Sequence, residues 1–186
     1  MFMTPEAESV VAEIREKLRA KGRGCGECTA CCTLLAVDMT PVSTTPKPER
    51  VKCTHLCKSG CSIYETKPDS CSVFICMWLA TQLFENEMPD KWRPDRVGAV
   101  IDMNEHDVMT AHLKHEAAYE KPGALRDLLD YVTTHETLIY DPQFIVLDRP
   151  SGNHLLYHRG GRTQELVPCG IGPTGLKRFR TRFPGE

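Results

Sequence analysis

A small α+β fold is what this sequence predicts, with a cysteine-rich part stabilised by thiolate-bound metal and packed with a small antiparallel sheet and helices. Three observations carry that expectation. Nine of the ten cysteines fall between Cys25 and Cys76, a density that loops built around a metal require. Apolar residues recur at helical spacing near both ends of the chain. The C-terminal half contains short apolar runs separated by turn residues, the pattern of paired strands.

Residues 5–21 read as a helix. Thr4 is placed to cap it, Pro5 stands at the first helical position, Val10, Val11, Ile14 and Leu18 share one side, and Gly22 stops it. Thr33–Thr40 reads as a short strand entering a loop, Pro41-Val42-Ser43-Thr44-Thr45-Pro46-Lys47-Pro48. Residues 72–85 read as a second helix carrying Phe74, Trp78, Leu79 and Phe84. Arg96–Met103 and Val108–Lys114 look like strands of a hairpin across residues 104–107, and Pro122–His135 like a helix with Leu125, Leu128, Leu129 and Val132 on one face. Gln143–Asp148 and His154–His158 complete the set as a second hairpin around Arg149-Pro150-Ser151-Gly152-Asn153. The expected organisation is an N-terminal helix over 1–21, a cysteine-cluster metal-binding region over 22–85, an α+β region over 86–176 and a basic tail over 177–186.

Composition narrows the function classes. A net charge of −2 gives no general attraction to nucleic acid, and no apolar run approaches the roughly 18 residues of a membrane span. The first residues lack the basic and apolar stretches of a signal peptide, so the expected setting is cytoplasmic and reducing. In such a setting dense cysteines read as a metal or redox site before a disulfide framework, and the adjacent pair Cys31–Cys32 suits a disulfide poorly.

The block Cys25-Gly-Glu-Cys28-Thr-Ala-Cys31-Cys32 spaces soft thiolate ligands so that a turn brings them onto one ion. Past it lies Cys53-Thr-His55-Leu-Cys57-Lys-Ser-Gly-Cys61-Ser-Ile63-Tyr64-Glu-Thr-Lys67-Pro68-Asp-Ser-Cys71-Ser72-Val-Phe74, followed by Cys76. Eight thiolates make two closed zinc sites, and four hold an iron–sulfur cubane. The first three cysteines copy the start of the bacterial ferredoxin run, but position 35 is Leu, so a fourth ligand has to come from the second block. The metal expected is zinc or iron, with an iron–sulfur cluster included.

In Cys25, Cys28, Cys31, Cys32, Cys53, Cys61, Ile63, Tyr64, Pro68, Cys71 and Phe74 the chain resembles the bacterial CxxCxxCC cysteine-cluster family, also called YkgJ-like and described as a zinc- or iron-chelating domain. Two positions depart from its pattern. Lys67 stands where the family has Arg, and Ser72 where Arg commonly follows the cysteine. A lysine does not reproduce arginine's planar two-pronged donation. The resemblance covers residues 25–76, with a looser echo at Trp92-Arg93-Pro94-Asp95, and it implies metal binding.

The metal ligands expected are therefore Cys25, Cys28, Cys31, Cys32, Cys53, Cys61, Cys71 and Cys76. The function expected is chelation of zinc or iron in storage, transfer, sensing or a structural role. The alternative is an iron–sulfur protein acting in redox or methylation-type protein modification. A metal ion is the expected partner, with a protein partner allowed for, no membrane, and nucleic acid disfavoured. Cys57 lies outside the family pattern beside Lys58 and is the candidate spare thiolate, also within reach of Lys52, while Cys169 reads as a single thiol. His55 is a lesser candidate ligand, and His106, His112 and His115 read as surface residues. The stretch Gly170–Lys177 misses the phosphate-loop pattern by the place of its lysine, and Lys177–Phe183 reads as a solvated or docking tail.

Overall fold

In a computed structural model the chain divides into two compact units, Met1–Arg96 and Val97–Glu186. The structure describes residues 5–21, 24–83, 87–103, 108–134, 143–171 and 177–182.

The first unit is helical with little sheet. Helix α1 (Pro5–Ala20) occupies the expected span and buries Leu18, while Thr4 and Gly22, its expected cap and stop, lie outside the described residues. Thr33–Thr40 is not a strand. Ala30–Leu34 forms a short helix, α2, which the Thr33 hydroxyl supports by donating to the Ala30 carbonyl at 2.8 Å. Of the expected strand only Val37 pairs, in an isolated bridge with Lys47. A two-stranded ribbon follows, β1 (Leu56–Cys57) with β2 (Gly60–Cys61). Residues 72–85 are not one helix either. Helix α3 (Asp69–Val73) ends at Phe74, the backbone is extended there and at Cys76, and α4 (Met77–Thr81) starts afresh. Phe84 lies outside the described residues. Helix α5 (Pro94–Val97) runs to the unit boundary.

Gly98 has φ +70, a conformation glycine adopts freely, and with it the chain turns into the sheet of the second unit. Its strands are β3 (Ala99–Met103), β4 (Met109–Leu113), β5 (Phe144–Asp148), β6 (His154–His158), β7 (Thr163–Ile171) and β8 (Lys177–Thr181). They lie in sequence order, antiparallel except for β4 and β5, which are parallel. A parallel pair needs a crossover, and α6 (Ala124–Thr134) lies in that connection. Both expected hairpins form. The residues expected to be a basic tail are in part the edge strand β8, paired with β7.

Alternation sorts the sheet into two faces. Ala111, Leu113, Ile145, Leu147 and Tyr157 are fully buried on one face, where the Tyr157 hydroxyl donates to Asp130 of α6 at 2.5 Å. Helix α6 adds Leu125, Leu128, Leu129 and Val132, as its spacing predicts. The other face carries a polar row in register across three strands, His112, Asp148 and His154.

The two units differ in core. Among the described residues sixteen buried apolar side chains belong to the second unit and eight to the first. Only Ala30, Leu34 and Met39 of those eight, beside the buried Pro68, fall between Gly24 and Phe74. By apolar burial alone that stretch has little to offset the entropy of ordering it.

Candidate metal centre

The clustered cysteines stand on three separate stretches. Cys25 and Cys28 sit on a tight turn closed by the Cys28 N–H on the Cys25 carbonyl at 2.8 Å, with Gly26 at φ +53. Cys31 and Cys32 follow on α2. The Cys53 N–H then donates to the Cys32 carbonyl at 2.9 Å, and the Leu56 N–H to the Cys53 carbonyl at 3.1 Å. Leu56 pairs with Cys61, so the ribbon carries Cys61 back to the Cys53 turn. Cys71 lies on α3, and Arg15 of α1 donates to its carbonyl and to that of Phe74. Cys76 stands at the start of α4.

Several of the thiols feel one another's charge. Cys31 feels Cys25 and Cys76, and Cys76 feels Cys25 and Cys28. Cys71 feels Cys32, Cys53 and Cys61. Cys25 and Cys31 feel Cys32 as well, and for Cys31 it is the strongest influence. Burial pushes the thiols of Cys25, Cys28 and Cys71 up, and that of Cys76 up to about 12. The interaction between the adjacent Cys31 and Cys32 thiols pushes the pKa of Cys31 up and that of Cys32 down.

Cationic side chains gather around the thiols. Lys67 lies 3.9 Å over the Tyr64 ring and opposes the rise at Cys25, as Arg15 does. Lys47 is 6% exposed, and four cysteines oppose the lowering that its burial causes. Asp95, held by Arg93 through bonds of 2.6 and 2.8 Å, reaches Cys28, so the Trp92–Asp95 stretch belongs to the cluster's surroundings.

All ten cysteines are free thiols, so the soft donor set that zinc or iron takes is present and unbridged. Among the described residues no group of three or more His, Cys, Asp or Glu side chains stands in an arrangement that holds a metal ion. As a donor set, free thiols suit a thiolate-bound metal in kind.

The remaining candidates fall outside this neighbourhood. Cys57 is exposed at the ribbon turn, where the Ser59 hydroxyl lies 3.2 Å from its sulfur and lowers its pKa. Cys169 is exposed on β7 at an irregularity in the pairing. His115 is exposed, as expected, and His106 lies outside the described residues. His112 is not a bland surface residue, because its ring nitrogens meet Asp148 at 2.9 Å and Asp102 at 3.2 Å. Residues 172–176 of the glycine-rich stretch lie outside the described residues.

Sequence reasoning missed Lys47. Between Pro46 and Pro48 it reads as part of an exposed loop, and only its pairing with Val37 turns it inward. Compared with known proteins, the chain matches no family model, no curated protein and no solved structure.

Proposed function

We infer that this chain is a metal-binding protein that holds zinc or iron on cysteine thiolates and uses the metal to staple its N-terminal unit. What supports the reading is a set of eight unbridged thiols, Cys25, Cys28, Cys31, Cys32, Cys53, Cys61, Cys71 and Cys76, several of which feel one another's charge. Four thiolates without an open position make a closed, structural site. The thin apolar core between Gly24 and Phe74 supports a stapling role, since metal-binding free energy is then folding free energy.

The test uses one cysteine from each of the two sequence blocks. Cys28→Ser and Cys71→Ser should each lower bound metal by about one ion per chain out of about two, the number that two four-thiolate sites hold. Full metal content in both variants contradicts the assignment. Colour separates the metals: colourless protein with stoichiometric zinc supports two zinc sites, and brown protein containing iron and sulfide supports a cluster.

The enzymatic alternative, an iron–sulfur protein in redox or protein-modification chemistry, needs a substrate site beside the cluster. Among the described residues no feature favours one, so it is left to the colour test.

A further inference from the structure

We propose that the outer edge of strand β8 is a docking site for an extended protein segment alternating acidic and apolar residues, which joins the six-stranded sheet as a further strand. The site belongs to the second unit, and its use does not depend on the metal-binding reading.

The two edges of the sheet differ. At one edge β3 buries Ala99, Val100 and Ile101. At the other, β8 has β7 as its one strand neighbour among the described residues, and Arg178 and Phe179 are exposed, as is Arg182 just past the strand. The Arg182 N–H donates to the Glu165 carbonyl at 2.9 Å, so the alternation of an antiparallel ladder turns the backbone groups of Phe179 and Thr181 away from β7. In keeping with this, the Thr181 carbonyl accepts from a side chain, the Arg180 guanidinium at 3.2 Å. An open edge of this kind is the template that strand addition uses.

Side-chain chemistry selects the occupant. Alternation puts Arg178, Arg180 and Arg182 on one face and Phe179 and Thr181 on the other. The Phe179 ring, 37% exposed, lies 4.8 Å from that of His154, which places it on the face of the His112, Asp148 and His154 row. Ile171, paired with Lys177 and 72% exposed, adds a second open apolar side chain beside the edge. On the β7 side, Glu165 pairs with Arg182 at 3.0 Å. A strand laid on the outer side of β8 meets the same alternation, so carboxylates belong beside the arginines and apolar side chains beside Phe179. Two β8 edges brought together would instead set arginine against arginine. The basic row that blocks self-pairing therefore favours an acidic partner.

The test is fluorescence anisotropy of labelled peptides titrated with the full chain. The probe is Glu-Val-Glu-Val-Glu-Val-Glu, and the controls are its Lys-Val counterpart, a peptide of the same composition with the valines in one block, and a single-stranded oligonucleotide. Wild type should bind the alternating acidic peptide and each control at least about 10-fold more weakly. Arg178→Glu combined with Arg180→Glu should lose the acidic peptide and gain the lysine one. Thr181→Pro removes an outward N–H while leaving the ladder to β7 in place, and should weaken binding by about 10-fold. The proposal is overturned by wild type that binds no acidic peptide, by equal binding of the blocked peptide, by a charge-reversed variant that keeps the acidic peptide, or by a Thr181→Pro variant equal to wild type. Oligonucleotide binding as tight as that of the peptide overturns it in favour of a nucleic-acid surface. If the variants do not fold, hydrogen exchange in wild type still decides. The amides of Phe179 and Thr181 should become protected when the acidic peptide is added, and unchanged exchange there overturns the proposal.

Discussion

At the scale of single residues, position and charge separate cysteines that look alike in the sequence. Cys57 and Cys61 are four apart on one small ribbon, yet Cys61 couples to Cys71 while Cys57 is exposed with its pKa lowered by Ser59. An exposed, lowered thiol is the one that reacts. In metal-loaded protein, mild iodoacetamide should label Cys57 faster than Cys61, read by peptide mass spectrometry. Equal rates would remove Cys57 as an exchange thiol and leave only the staple. The cysteine spacing was legible in the sequence because CxxC geometry is local. The burial of Lys47 was not, because it depends on a bridge to Val37 that no local pattern encodes.

At the scale of elements, the sheet depends on a charge stitch as well as an apolar face. His112 on β4 donates toward Asp102 on β3 and Asp148 on β5, and Asp148 also lies 3.5 Å from His154 on β6. Burial opposes charging of His112, but the two aspartates win and raise its pKa to about 9. Relative to the ordinary value of 6.5 this corresponds to about 3 kcal/mol. Because the folded pKa lies above the unfolded one, that stabilisation is full below about pH 6.5 and is lost as pH rises through about 9. The melting-temperature gap between wild type and His112→Gln should therefore be widest near pH 6 and narrow steadily toward pH 10, a window set by the histidine values. A gap independent of pH contradicts a charged His112. Helices α1 and α6 and both hairpins were legible because each keeps one period over its length. Strands β7 and β8 were not. Pro168, Cys169 and Gly170 break the apolar alternation of β7, and Lys177, Arg178 and Arg180 make β8 read as a solvated tail, which an edge strand tolerates. The expected helix over 72–85 failed because the sequence pattern alone does not register the break at Phe74–Cys76, which lets Cys76 begin a new helix.

At the scale of the whole molecule, the two units differ in how much apolar surface they bury. The second buries twice as many apolar side chains as the first among the described residues, so it has the core to stand without metal. Hydrogen exchange before and after a strong chelator should show amide protection lost across Cys25–Cys76 and largely kept in β3–β6 and α6. Unchanged protection across Cys25–Cys76 in protein verified to be metal-free would mean the metal is not a staple. The most direct measurement is elemental analysis of wild-type protein purified anaerobically, expressed as metal per chain. Stoichiometric zinc at about two ions per chain, or iron with matching sulfide, is the expected result. Protein that folds normally and carries neither zinc nor iron in stoichiometric amount would contradict it.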